Sequence, residues 1–162
     1  MRRPRRAPSR PNYGNQYPDI RIVGLAAPIR HALQGLCALT DRPEDGRGSA
    51  EVARSLRLPA AALSKSFQRL ARRGLLEARR GPGGGYRLAS DPARLSLLEV
   101  ASALEVEDVR RGRCLLEERE CRSAEPCPLH RAAKEADARL RRALKDLTLA
   151  DLAAVTRRRK ER

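Results

Sequence analysis

The spacing of hydrophobic positions changes several times along this chain, and each change marks an element. Ile29, Leu33, Leu36 and Cys37 fall at i, i+4, i+7 and i+8, one face of a helix that Pro28 can open, because a proline in the first turn loses no helical hydrogen bond. The polar run DRPEDGRG, residues 41–48, reads as a loop. Ser49 then supplies a capping oxygen for a short helix over 50–56, which stops before Leu58-Pro59 because the residue ahead of a proline is pushed out of the helical region. Another helix follows over 60–73, with Leu63, Phe67 and Leu70 inward and Gly74 at its C-terminal cap. Two short helices joined by about three residues form a helix-turn-helix.

Beyond Gly74 the period shortens. Residues 75–79 and 86–88 read as strands flanking RGPGGG, whose glycines supply the positive φ of a turn, so a β-hairpin wing follows the helix-turn-helix. Ser96 and Glu99 have capping-box spacing and open a helix that reaches about Leu104. From 105 to 127 helical periodicity gives way to charge. Leu129, Ala133, Ala136, Leu140, Ala143 and Leu147 then advance by 4, 3, 4, 3 and 4 along a long helix starting at Pro128, a seam suited to a partner helix. Thr148 and Asp151 would cap a short last helix. The predicted fold is mainly α: a winged helix-turn-helix DNA-binding domain over 20–104, a cysteine-containing loop over 105–127, and a dimerisation helix with its short final helix over 128–153. A loose basic arm, 1–19, and a basic tail, 154–162, flank them.

Composition sharpens this picture. Aromatic residues make up only 2% of the 162 positions and tryptophan is absent, so the core rests on Leu, Ala, Val and Ile, which favours helices. A formal charge of +15 predicts attraction to a polyanion, with nucleic acid the first candidate. No apolar run approaches the roughly 20 residues that span a bilayer, so no membrane role is expected. The start of the chain lacks the apolar stretch of a secretory signal, which leads us to expect a cytoplasmic protein. In that reducing compartment clustered cysteines serve as metal ligands or redox sensors more often than as disulfides.

Between Arg54 and Arg87 stand nine basic residues and a single acid, Glu77, a local excess of +8 that can neutralise phosphates. The helix over 60–73 is the natural reader of a major groove. Helical spacing sets Ala61, Ser64, Lys65 and Gln68 opposite its apolar face, with Arg69 and Arg72 further along. Gln68 can pair with adenine and Lys65 with guanine, whereas alanine meets only thymine methyls. Arg79, Arg80 and Tyr86 belong to the wing, and Arg80 at its tip can enter the adjacent minor groove, so specificity leans on that arginine and on DNA shape.

The segment CLLEERECRSAEPCPLH holds Cys114, Cys121, Cys127 and His130 in the pattern C-x6-C-x5-C-x2-H. Four soft or borderline donors suit a tetrahedral zinc or an iron–sulfur cluster. The long gaps favour the cluster, since zinc knuckles are usually shorter. Pro128 opens a helix, so Cys127 lies at its positive end, which favours thiolate over thiol. Cys37, on the apolar face of the first helix, reads as a small core residue. His31 reads as a surface side chain that, in a dimer, competes with His130 as fourth ligand.

The stretch LARRGLLEARRGPGGGYRLA, residues 70–89, together with the cysteine segment ending CPLHRAAKEA, resembles the Rrf2 family of bacterial winged-helix transcription regulators, which includes iron–sulfur and nitric-oxide sensors. The resemblance covers about residues 20–153. It implies a homodimer joined by the long C-terminal helices, two winged heads on a palindromic operator in double-stranded DNA, and a cluster that alters DNA binding. By that resemblance Cys114, Cys121 and Cys127 are cluster ligands, His130 completes a two-iron cluster, and Arg80 is the minor-groove arginine. The gap between Cys114 and Cys121 is longer than in the family's iron–sulfur regulators, which leaves a 4Fe-4S cluster open beside the favoured 2Fe-2S. Ala61 and Ser64 replace longer or more polar residues of the family, implying a different operator. Ala27 falls near the aspartate ligand of the nitric-oxide sensors and cannot ligate.

The expected function is therefore a DNA-binding transcription regulator, a repressor as most often in such families, whose promoter binding responds to its cluster. The alternatives are a winged-helix regulator with a structural zinc or no metal, and an RNA-binding or assembly module. An enzyme is not expected, because no nucleophile stands paired with a base.

Overall fold

The computed structural model describes residues 25–81, 84–104 and 128–160. The elements are α1 (Ala27–Leu39), α2 (Ser49–Ser55), α3 (Ala60–Arg72), β1 (Leu76–Arg79), β2 (Gly85–Leu88), a 3-10 turn (Pro92–Arg94), α4 (Leu97–Leu104), α5 (Pro128–Asp146) and α6 (Leu149–Lys160). The architecture is the expected helical one with a two-stranded antiparallel hairpin behind a helix-turn-helix.

α1 is the axis. Ala32, Leu33, Leu36, Cys37 and Leu39 on it are buried, and the core around them is completed by Val52 and Ala53 of α2, Leu63, Phe67 and Leu70 of α3, and Val100 and Leu104 of α4. Leu144 of α5 and Leu149 and Ala153 of α6 close the far side. Phe67, the only phenylalanine in the chain, is fully buried, a contribution of roughly 1.5–3 kcal/mol. Its ring lies so close to α1 that a β-carbon on Gly35 would come within 2.9 Å of Phe67 Cε1 and Cζ and of Leu63 Cδ1.

The hairpin is not freestanding. Arg47, in the stretch the sequence pattern treats as a loop, pairs with β2: its N–H donates to the Tyr86 carbonyl at 3.1 Å, and Tyr86 N–H donates back at 2.9 Å. Gly85 makes this approach possible, with φ +140 and no side chain, since a β-carbon there would lie 2.5–2.7 Å from the Arg47 backbone. The same pairing corrects the start of α2. Gly48 enters in extended conformation and is the N-cap, its carbonyl accepting from Val52 N–H at 3.0 Å, so Ser49 is the first helical residue and not the cap.

The two predicted capping boxes form and sit side by side. Glu99 N–H donates to Ser96 Oγ at 3.2 Å while the Glu99 carboxylate accepts from Ser96 N–H at 2.9 Å. Asp151 and Thr148 repeat the exchange at 3.2 and 2.9 Å. Between them Leu97 N–H donates to Leu147 O at 2.9 Å and Leu149 N–H to Leu95 O at 2.8 Å, so the starts of α4 and α6 are pinned together. α6 then runs on through Lys160, where the sequence pattern ends the helix near 153 and expects a tail. Arg and Lys are good helix formers, and cations are favoured at a helix C-terminus.

Gly35→Ala is expected to lose about 1–3 kcal/mol in urea unfolding, because Leu63 and Phe67 have no room to yield and the helix-propensity gain of about 1 kcal/mol is smaller. The caps predict an acid effect. Glu99 is held below its ordinary value of 4.5 by the hydroxyl and N–H of Ser96, and Asp151 below 3.8 by the N–H and hydroxyl of Thr148. Both stabilise the fold when ionised, so their contribution is complete at neutral pH and is lost as pH falls through the lowered folded-state values. Thermal melts of Glu99→Ala and Asp151→Ala should therefore lie below wild type at neutral pH, and the gap should narrow as the medium is acidified below the ordinary carboxylate range.

Candidate nucleic-acid interface

α3 presents two unlike faces. Leu63, Ser66, Phe67 and Leu70 are buried, with Ser66 Oγ satisfied by Ala62 O at 3.0 Å. On the other side Ala61, Lys65, Gln68 and Arg72 are exposed, and Ser64 and Arg69 are half-buried at its edges. Gln68 Nε2 makes only a long 3.5 Å contact to Ser64 Oγ, so its amide is available to an outside partner. The first turn, Ala60 to Leu63, carries no acid, so nothing there repels a phosphate approaching the helix's positive end.

The wing sorts its charges by register. Glu77 stands opposite Arg87, whose Nη2 and Nε donate to Glu77 Oε2 at 2.6 and 2.9 Å. The one acid in this region is thus paired in place. Arg79 and Arg80 are exposed, and their side chains have no hydrogen-bond or ion-pair partner among the described residues. Tyr86 is placed differently from the other predicted contacts. Its half-buried ring meets Phe67 edge-on, centroids 5.3 Å apart at 69°, which ties the wing to α3.

Arg47 is the residue that sequence reasoning missed. Its Nη1 donates to Ala38 O at 3.1 Å and its Nε to Glu51 at 2.9 Å, so its side chain joins the end of α1 to α2 while its backbone pairs with β2. A single bridging residue has no period, and the glycines on either side were its sole signal.

Cys114, Cys121 and Cys127 lie outside the described residues. His130 stands in the first turn of α5, half-buried, while Cys37 is buried in the core and His31 is half-buried on α1. Among the described residues no group of three or more His, Cys, Asp or Glu side chains gathers as a metal site. The donor set itself, three thiolates and an imidazole, fits iron or zinc. Along the predicted seam, Leu129 on α5 and Leu147 just past its end remain 40% and 45% exposed, Ala143 is exposed, and Ala133, Ala136 and Leu140 are half-buried. Leu144, one position off the predicted seam, is the residue that α5 buries in the head. No helix among the described residues is long and apolar enough to cross a membrane.

Residues 25–155 match the family model of Rrf2, described as an iron-dependent transcriptional regulator. The chain is 32% identical over 126 residues to a putative helix-turn-helix transcriptional regulator, ORF2, of Azotobacter vinelandii, covering 77% of this chain and 76% of that one. It is 36% identical over 90 residues to the transcriptional regulator IscR of Klebsiella pneumoniae, a match spanning 56% of this chain and about half, 54%, of that relative's length. Among solved structures it is similar to T. potens IscR, with a TM-score of 0.64 and 18% identity over 83% of this chain and 88% of that one. The global cysteine regulator CymR of B. subtilis has the same fold, with a TM-score of 0.64 and 21% identity over 83% and 98% of the respective chains. These relatives are regulators and not enzymes. An exposed basic helix, a wing anchored beside it and a family match across most of the chain make this protein a member of the Rrf2 family of winged-helix, DNA-binding transcription regulators.

Proposed function

We propose that the protein is a homodimeric regulator, a repressor in its basic mode of action, that sets two winged heads on a palindromic operator in the cytoplasm. Its operator affinity depends on an iron–sulfur cluster held by Cys114, Cys121, Cys127 and His130. The observation that carries the DNA half is the acid-free outer face of α3 beside Arg79 and Arg80, whose side chains have no partner among the described residues. Lys65 and Gln68 reach base edges, Ala61 and Ser64 permit close approach to thymine methyls, and Arg69 and Arg72 meet phosphates. Arg80 enters the minor groove, where readout is by width and shape.

The dimer reading is supported by the apolar stripe of α5, where Leu129, and Leu147 just past its end, stay exposed among the described residues. The cluster reading is supported by the donor set and by the position of His130 in the first turn of α5. A 2Fe-2S cluster is favoured and 4Fe-4S is compatible. A bound cluster would supply a redox-active centre; the chain's own residues supply the soft donors and link them to the helix that joins the heads.

The deciding experiment is an anisotropy titration of anaerobically purified and metal-stripped protein against a duplex that the protein selects from a randomised pool. Different affinities are expected, and equal ones remove the sensing function. A colourless preparation that carries zinc would point to a structural metal, and preference for folded RNA over duplex in competition would sink the operator reading. Arg80→Ala should weaken binding about tenfold, the loss of one charge-assisted contact, without changing the dimer. His130→Ala should bleach or shift the visible absorption of the anaerobic protein while its thermal unfolding stays close to wild type.

A further inference from the structure

The turn between α2 and α3 holds the only non-glycine residue with positive φ among the described residues, Arg57 at φ +55. Side chains of L-residues enter this region at a cost that glycine escapes. The backbone there has no choice. Arg57 N–H donates to Arg54 O at 3.2 Å and Leu58 N–H to Ala53 O at 2.8 Å, closing α2. Leu56 and Leu58 pack on the core from either side of the turn. The fold therefore dictates the conformation, but nothing in it calls for an arginine. Arg57 is exposed, and its guanidinium has no partner among the described residues. Glu51, the one acid of α2, is already engaged by Arg47.

A strained residue that gains nothing from the described residues points to a partner beyond them, on a bound molecule. Arg57 lies two positions ahead of Pro59, the N-cap of α3, and the exposed Arg54 stands in the last turn of α2. We infer that Arg57 is a positioning residue that grips a phosphate of the DNA backbone beside the groove entered by α3, with Arg54 next to it, and so sets the angle at which α3 approaches the bases. The inference rests on the reading that α3 enters the major groove. A phosphate contact carries no sequence information, so Arg57 contributes affinity equally on all duplexes.

The test uses the full chain with the duplex selected by wild type and a scrambled duplex of equal length. Arg57→Gly should melt at or above the wild-type temperature, because the strain is relieved. It should bind both duplexes about tenfold more weakly, with the slope of log affinity against log salt shallower by about 1 per arm. The preference between the duplexes should not change. Arg57→Lys, which keeps the charge, should restore most of the salt slope. Wild-type affinity and slope in Arg57→Gly would overturn the inference, and so would a fall in preference, which would make the contact a base contact. If wild type itself binds neither duplex, the major-groove reading fails and the inference goes with it.

Discussion

The contact between Phe67 and its neighbours governs the rest of this structure. The ring is fully buried, presses on α1 at Gly35 and takes the edge of Tyr86 from β2. Helix roll is set by such contacts, because a close-packed core has few alternative seatings. Once Phe67, Leu63 and Leu70 are seated, the opposite face of α3 has one orientation, with Lys65 and Gln68 outward. Through Tyr86 the same ring sets the wing relative to that helix, so the parts expected to touch DNA are aligned by one apolar residue that touches none.

Arginine does two different jobs here, and the distinction is visible in its partners. Arg47 and Arg87 are spent inside the head, one bridging three elements to Ala38 and Glu51, the other holding Glu77 across the hairpin. Exposed ion pairs contribute little stability on their own. Their effect here is to neutralise the local acids, so that the outward charge beside them is carried by side chains with no partner among the described residues. Arg79, Arg80 and Lys65 belong to that second group.

The junction of α4, α5 and α6 has a comparable economy. The segment 105–127, which carries the cysteines, is preceded by α4 and followed by α5. The start of α4 and the end of α5 are joined by the backbone pairing at Leu97 and Leu147, and both capping boxes sit at that seam. α4 enters that segment from Leu104, which is buried in the core around α1, whereas α5 leaves it with Leu129 exposed and buries Leu144 near its far end. This is the arrangement through which a change in that segment would bear on the head.

Much of this was legible in the chain itself, because it depended on local periodicity or local hydrogen bonding. The stripes of α1 and α3, the two capping boxes, the hairpin and the burial of Cys37 all follow from neighbours a few positions apart. Three features did not. Arg47 joins β2 across about forty positions, and with it moved the cap of α2 from Ser49 to Gly48. Tyr86 reads as a wing contact in sequence, yet its ring lies on Phe67. Arg57 is an ordinary arginine until its φ is known. Periodicity and capping chemistry are properties of adjacent residues and survive in a linear string; bridges, ring stacking and the handedness of a turn arise only when distant segments compete for the same space, so the packed chain alone decided them.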